Sequence, residues 1–369
     1  MKHYPLDLKR DSLNGLLITG IIVLITVLLM LVGLSTSVFD PVGQAMDDFR
    51  ISDGLFYSRA LRVGKSDNVN PGVVIVDIAE CDSREEIAAL VDRINHSSPK
   101  LLAVDIIFGR TPSISSESDS ALVAAFSYSP NLILASRFVE DANGGHFERS
   151  FFADDVCCQE GDVSFELGKV RDFSPFSVHT EQKYPTMVAR IAGTGNIAEG
   201  FPRQLINYTP VNTVRVTPET LGDGSILKDQ IVILGDMGDY RDYHDIPVMI
   251  DGQARTSGIN ILAQCLYSLQ PGNGFKNCPH WLEVLLGILL TYLFCTFLGS
   301  PLYRIERFNG LWISIFQILT VIVLLAINFV VFWYFRLNVS LVYWFIGVGL
   351  SGLATELFYF IVRRHEKTD

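Results

Sequence analysis

The residues best suited to chemistry lie in the stretch GDMGDYRDYHDIP, residues 235–247. His244 stands in it among aspartates that recur at every third position: Asp236, Asp239, Asp242 and Asp245. Several carboxylates would suit a hard cation such as Ca²⁺, and His244 beside an aspartate would suit a transition metal. The spacing differs from the alternating pattern of a calcium loop, and the aspartates can instead cap turns or pair with Arg241 and Arg203. We expect mainly a structural loop, with ligand or cation contact as the alternative.

Motifs of the common catalytic and nucleotide-binding sites are absent from the sequence. It contains no G-x-S-x-G elbow, P-loop, H-E-x-x-H pair or Rossmann glycine fingerprint. We therefore predict that the protein is not an enzyme and has no catalytic residue, no cofactor and no metal centre. Two other functions stay open: a scaffolding subunit of an envelope complex, and a membrane-anchored hydrolase that uses the aspartates with a metal.

Apolar strands and amphipathic helices must position these side chains. GVVIVDIAE (72–80) and KLLAVDIIFGR (100–110) are typical of buried strands, and the helical pattern SREEIAALVDRINHSSP (83–99) separates them. Ser83 and Glu86 have capping-box spacing. A strand–helix–strand unit implies parallel strands with a right-handed crossover. Further strands are predicted at 131–140 and 228–236, with an edge strand at 201–210, and further helices at 118–130, 184–193 and 256–270.

This alternation predicts an α/β fold with a layered, largely parallel sheet. Asp77, Asp105 and Asp236 lie at or near the C-terminal ends of predicted strands. Open parallel sheets bind ligands at that edge. We therefore take these three aspartates, with Asp242 and His244, as candidate ligand-binding residues.

Four apolar stretches are long enough to cross a bilayer: Leu13–Phe39, Trp281–Gly299, Leu311–Tyr334 and Ser340–Val362. A mean hydropathy of +0.30 agrees with a membrane protein. The predicted organisation is a cytoplasmic N-terminus (1–12), an anchor (13–39), an exported domain (40–278), three spans (279–362) and a cytoplasmic tail (363–369). The first stretch can also be read as a cleaved signal peptide, although its apolar run exceeds the usual length.

Orientation follows from the basic residues near the span ends. Lys9 and Arg10 precede the first span, Arg304 and Arg307 lie between the second and third, and Arg363 follows the fourth. All three groups fall on one face if both termini are cytoplasmic. We therefore predict a multi-pass protein of the inner (cytoplasmic) membrane, with the lipid bilayer as a partner. The net charge of −11 is concentrated in the exported domain and argues against nucleic acid as a partner.

Single polar and small residues in the C-terminal part carry further expectations. Glu356 is acidic within the fourth span, where pairing near the interface is as plausible as function. Gly347 and Ser351 form a small-xxx-small pair that favours close helix packing. Cys265 and Cys278 can form a disulfide or serve as buried apolar residues.

Taken in order, these elements resemble the type 2 CHASE family, the extracytoplasmic sensory domain of bacterial cyclases and kinases. The resemblance rests on VVIVDIAE, LLAVDIIF with Asp105 and Phe108, DSALVAAF, NLILASR, FPRQLINY, KDQIVILGD, DYHDIPV with Asp242 and Pro247, and SGINILAQCLYSL. It spans nearly all of Asp40–Gly274. The family's Trp-Pro and Arg-Ser segment is missing, because CDSREE runs almost directly into the first helix of the domain.

The resemblance implies a sensor-like membrane receptor whose exported domain recognises an unknown ligand or envelope state. Family members typically continue into a cytoplasmic enzyme or kinase module. This sequence ends seven residues past the fourth predicted span. We therefore expect the signal to pass to a separately encoded signalling or effector protein.

Overall fold

The computed structural model describes residues 8–35, 53–55, 72–110, 114–141, 144–165, 168–194, 201–208, 213–250, 253–299 and 310–365. The chain divides into two compact units. We call Ser52–Phe275 the sheet unit, and Met1–Ile51 with Lys276–Asp369 the helical unit. Each unit is described by itself.

The α-helices are α1 (Leu8–Ser35), α2 (Arg84–His96), α3 (Ser116–Ser127), α4 (Met187–Thr194), α5 (Gly258–Leu269), α6 (His280–Phe294), α7 (Gly310–Phe335) and α8 (Val342–His365). The strands are β1 (Val73–Asp77), β2 (Leu101–Val104), β3 (Leu132–Asp141), β4 (Gly144–Arg149), β5 (Cys158–Asp162), β6 (Asp172–Phe173), β7 (Phe176–His179), β8 (Gln182–Pro185), β9 (Gln204–Leu205), β10 (Val214–Val216), β11 (Ile231–Gly235), β12 (Tyr243–Ile250), β13 (Gln253–Ser257), β14 (Lys276–Asn277) and β15 (Leu337–Asn338).

A seven-stranded mixed sheet forms the centre of the sheet unit. Its order is β10-β1-β11-β2-β3-β4, and β5 also pairs with β3. All neighbouring strands run parallel except the antiparallel β3–β4 pair. The prediction of an α/β fold with a largely parallel sheet is therefore confirmed. Strand β11 comes late in the chain but lies between β1 and β2.

The central strands read as continuous apolar runs because their side chains are buried on both faces of the sheet. Every residue of β1 and β11 is buried. On one face, alternate residues such as Val74 and Val76 join a core with apolar side chains of α2 and α3. Helix α2 begins at the predicted cap, since the Glu86 amide donates to Ser83 Oγ (3.2 Å) and Glu86 accepts from the Asp82 amide (2.9 Å).

Three elements differ from the sequence-based prediction. Strand β2 ends at Val104, earlier than predicted, and Phe108 beyond it packs against Phe126 and Phe152. The expected edge strand at 201–210 reduces to β9, which pairs with β6 outside the main sheet. The chain after the predicted strand 131–140, where no further strand is predicted before residue 201, contains the short strands β4 to β8.

The helical unit has four helices that are long and apolar enough to cross a membrane: Lys9–Leu29, His280–Phe297, Ser314–Phe335 and Val342–Val362. The first begins earlier than predicted, and residues 36–39 of the predicted span lie outside the described residues. On α8, a Cβ added to Gly347 would collide with Thr291 of α6. Ser351 is buried and accepts a hydrogen bond from Gln317 of α7 (3.1 Å). The predicted close packing at this small-residue pair is confirmed.

All six cysteines are unpaired. Cys265 is fully buried within α5, and burial raises the pKa of its thiol. The disulfide considered for Cys265 and Cys278 is not formed, and both behave as buried apolar residues.

Candidate functional site

The strand order brings three of the predicted site residues to one edge of the sheet. Strands β1, β11 and β2 are parallel neighbours, so their C-terminal ends lie together. Asp77 ends β1, Asp236 directly follows β11, and Asp105 directly follows β2. The predicted meeting of these aspartates at the C-terminal edge therefore follows from the insertion of β11 between the two earlier strands.

Asp77 has a structural role at this edge. Its side chain is buried and forms an ion pair with Arg215 of the neighbouring strand β10. Its other carboxylate oxygen accepts hydrogen bonds from the amides of Ala79 (3.1 Å) and Met237 (2.9 Å). Asp77 thus fastens the loops after β1 and β11 to each other, and its carboxylate is occupied by these contacts.

Asp236 is also occupied by local contacts. Its carboxylate accepts hydrogen bonds from the amides of Gly238 (2.7 Å) and Asp239 (3.2 Å). An aspartate that bonds the backbone two and three residues later stabilises a tight turn. Asp236 therefore shapes the loop that carries the chain from β11 toward β12.

Asp242 connects this loop to a helix. Its Oδ2 accepts a hydrogen bond from the amide of Gly258, the first residue of α5 (3.0 Å). A Cβ at Gly258 would lie only 2.8 Å from the same oxygen. The carboxylate supplies a partner for one of the unpaired amides at the start of the helix, where negative charge is favourable. Asp242 therefore acts as an N-terminal cap that is distant in sequence.

Asp105 and His244 lie near Asp242. Burial is the main cause that raises the pKa of Asp105 to about 7, while the charge of Asp242 adds to the rise and His244 opposes it. His244 Nε2 is 3.5 Å from Asp242 Oδ1, and Phe165 packs edge-on against its ring. We call Asp105, Asp242 and His244 the carboxyl-edge cluster.

The remaining aspartates of the stretch 235–247 form local ion pairs. Asp239 pairs with Arg241 (2.8 Å) and Asp245 with Arg255 of β13 (3.2 Å). Arg203 pairs with Asp172 (2.6 Å). Within the described part of the chain, no group of three or more His, Cys, Asp or Glu side chains is arranged to hold a metal ion.

The expected structural loop is shorter than the stretch 235–247 and lies between β11 and β12. Residues from Tyr243 onward form strand β12, which pairs with β13 in an antiparallel hairpin. The register shifts between Asp245 and Ile250, a section that includes Pro247. Proline lacks an amide hydrogen and is tolerated at such irregular positions. His244 is therefore held on a strand, opposite Thr256, and not on a flexible turn.

The arrangement determines what the carboxyl-edge cluster can do chemically. A carboxyl group with a pKa of about 7 exchanges its proton in the neutral range, unlike a solvent-exposed aspartate. Two carboxyl groups and one imidazole favour a ligand that is positively charged or donates hydrogen bonds. Because Asp242 also caps α5, any change in its charge acts directly on the start of that helix.

Sequence reasoning missed two residues at this edge of the sheet and one in the helical unit. Arg215 neutralises Asp77, and Gly258 gives Asp242 room to reach α5. Glu283 is buried in the helical unit and accepts the Ser340 amide (2.7 Å), whereas Glu356 is exposed on α8. For Arg215, the available signal was an arginine within the apolar stretch VRV, together with a buried strand that ends in an aspartate. The other two depend on contacts between distant segments.

Comparison with known proteins points to one family. A family model described as the CHASE2 domain, a sensory extracytoplasmic domain, matches residues 21–298. The match covers the sheet unit together with the C-terminal half of α1 and all of α6. No curated protein and no solved structure matches the chain. The resemblance inferred from the order of strands and helices is confirmed.

Proposed function

The chain belongs to the CHASE2 domain family, and from that premise we propose that it is a multi-pass sensor of the inner membrane. In this proposal the four apolar helices cross the bilayer, both termini are cytoplasmic, and the sheet unit, a layered α/β core, lies outside the cytoplasm. Four helices of sufficient length and the basic residues at one set of span ends support this arrangement.

The proposed sensing element is the carboxyl-edge cluster. Its position after adjacent parallel strands is the usual ligand edge of an open α/β sheet. Asp105 and Asp242 suit a ligand that is cationic or donates hydrogen bonds. Alternatively, protonation of Asp105 would make the cluster respond to the external pH. The proposal assigns no catalytic step to the chain.

The observation that carries the proposal is the hydrogen bond between Asp242 and the first residue of α5. Only residues 270–275 separate the end of α5 from Lys276, where the helical unit resumes. A ligand that changes the charge or position of Asp242 therefore acts on an element that leads straight to α6. We propose that the resulting shift is passed through the spans to a separate signalling or effector protein.

The test compares strains of the native host under changes of external pH, osmolarity and divalent cations. Transcript profiles are measured for the wild type, a strain lacking residues 40–278, and the variants Asp242→Asn and Asp239→Asn. Asp239 is the matched control because it lies in the same stretch but pairs only locally with Arg241. We expect the deletion and Asp242→Asn to abolish at least one response that Asp239→Asn retains. Identical profiles in all four strains would refute the sensor function.

A further inference from the structure

Two short segments in the sheet unit, 170–171 and 205–208, join parts of the chain that are far apart in sequence. The Ile206 amide donates to the Arg171 carbonyl (2.9 Å), and the Tyr208 hydroxyl donates to the Val170 carbonyl (2.7 Å). Tyr208 and Ile206 are almost completely buried. The two segments therefore form one packed, hydrogen-bonded body, which we call the polar clamp.

The polar clamp holds the N-terminal end of the sheet unit. Arg171 makes a bidentate ion pair with Asp53, with Nε 3.0 Å from Oδ1 and Nη2 2.8 Å from Oδ2. Both side chains are more than nine-tenths buried. Bidentate pairs between arginine and carboxylate fix relative orientation as well as distance. Asp53 stands at the beginning of the sheet unit, on the chain that arrives from α1.

The same clamp holds the C-terminal end. The backbone amide of Asn207 donates to Ser268 Oγ near the end of α5 (2.8 Å). The side-chain Nδ2 of Asn207 donates to the backbone carbonyl of Asn273 (3.0 Å). Leu205 forms a β-bridge with Phe275, the last residue of the sheet unit. Asn207, Ser268 and Phe275 are all buried. The C-terminal end of the sheet unit is thus bound to the same polar clamp that binds Asp53.

A third contact reaches the strand of the carboxyl-edge cluster. The Val170 amide donates to the carbonyl of Asp245 on β12 (2.8 Å), and Asp245 directly follows His244. The clamp therefore touches β12, the incoming chain and the outgoing chain through neighbouring residues.

We infer that the polar clamp couples β12 to both ends of the sheet unit, so that the backbone at Asp53 and the backbone at Phe275 shift together and not independently. Energetic coupling between distant sites is carried by packed, hydrogen-bonded networks of this kind. The inference takes its biological meaning from the proposed sensor function. It concerns the resting molecule and is tested without any stimulus, so either idea can fail while the other stands.

The test is hydrogen exchange, read by mass spectrometry on the full chain in lipid nanodiscs. Asp53→Asn removes the charge that Arg171 binds and keeps the side-chain shape. We expect a several-fold faster exchange at residues 268–275. This segment is far from Asp53 in sequence, so the effect cannot arise from the neighbouring backbone. Ser268→Ala removes the acceptor of Asn207, and we expect faster exchange at 53–55 and 168–173. Coupling between two sites must be reciprocal, so both effects are required.

The matched control is Asp239→Asn, which also breaks an aspartate–arginine pair but lies outside the clamp. It should leave the exchange of all these segments unchanged. Amides of β1 and β11 report global opening, and the exchange rates at 53–55, 168–173 and 268–275 are compared with those amides in each variant. Both Asp53→Asn and Ser268→Ala must accelerate the distant segment more than they accelerate β1 and β11. Effects confined to the segments around each substituted residue would overturn the inference.

Discussion

At the scale of single residues, Asp105 shows how partial burial beside another carboxylate changes an ordinary carboxyl group. Its pKa of about 7 reflects mainly the loss of solvent, with the charge of Asp242 acting in the same direction. The type and spacing of the aspartates suggested a binding edge, but they did not separate Asp105 from Asp77. That distinction depends on Arg215, which neutralises Asp77 from a strand that pairs only in the folded sheet.

The raised pKa of Asp105 makes stability depend on pH. A carboxyl group whose folded pKa exceeds its unfolded value stabilises the fold at low pH, and this contribution is lost as pH rises from about 4 through about 7. We expect the wild-type sheet unit to lose stability over this range and Asp105→Asn to lose much less. The difference is at most about 4 kcal/mol, at about 1.4 kcal/mol per pKa unit.

The measurement is the unfolding midpoint of the full chain in nanodiscs across that pH range. Unfolding is monitored by the hydrogen exchange of the β1 and β11 amides. Asp245→Asn is the control, because Asp245 is exposed and pairs with Arg255. Parallel pH profiles for the wild type and Asp105→Asn would contradict the expectation.

Gly258 allows a second prediction at this scale. Alanine favours a helix over glycine by about 1 kcal/mol, but a Cβ here would lie 2.8 Å from Asp242 Oδ2. We expect Gly258→Ala to destabilise the sheet unit by about 1–2 kcal/mol, because the cap must move away. In an Asp242→Ala background the cost should vanish or reverse. A cost of the same size in both backgrounds would show that the cap is not its cause.

At the scale of elements, the helical unit depends on close approach between α6 and α8. The small-residue pattern of α8 was visible in the sequence, but which helix faces it was not. Gly347 meets Thr291, whereas a Cβ at Gly349, two residues later on the same helix, would meet nothing within 4 Å. The two glycines therefore form a matched pair for experiment.

We expect Gly347→Ile to lower the melting temperature of the purified protein and Gly349→Ile to leave it nearly unchanged. Overpacking a tight contact typically costs about 1–3 kcal/mol, and helices in membranes associate through just such small residues. The melting temperature is read in detergent by the reactivity of the buried Cys295 thiol. Equal effects of the two substitutions would argue against the α6–α8 crossing.

The elements also show what sequence patterns predict well and what they do not. Strands β1, β2, β3 and β11 and helix α5 are visible as apolar runs and helical periodicity, because burial leaves a local signature. The position of β11 between β1 and β2 depends on which strands pair with each other, and no local sequence pattern determines that. Strand β12 was missed because its polar residues and Pro247 suggest a turn, while its pairing partner β13 has no strong strand pattern.

At the scale of the whole molecule, the distribution of basic residues predicts the topology. If both termini are cytoplasmic, a fluorescent protein fused after residue 369 should fold and fluoresce, and alkaline phosphatase fused after residue 278 should be active. Phosphatase fused after residue 307 should be inactive, because Arg304 and Arg307 stay inside. Active phosphatase at 307 would reverse or break the predicted order of spans.

The members of the carboxyl-edge cluster could be predicted from the sequence, but their grouping into one cluster could not. All three of its members were among the five candidate residues, since the edge of a parallel sheet is a general ligand position. The polar clamp was not predicted, because a sequence pattern does not record that the segments of Asp53, Arg171 and Asn207 meet. Such contacts exist only once the chain is folded, and they connect the parts that sequence reasoning treats separately.

The late arrival of β11 has a consequence for how the protein is made. Strands β1 and β2 do not pair with each other, so the centre of the sheet stays open until β11 has been synthesised and inserted between them. Until then, two apolar strands present unpaired edges, a state that is slow to resolve and prone to aggregation. We therefore expect that stalling of synthesis before residue 231 leaves the first half of the sheet unit open to aggregation.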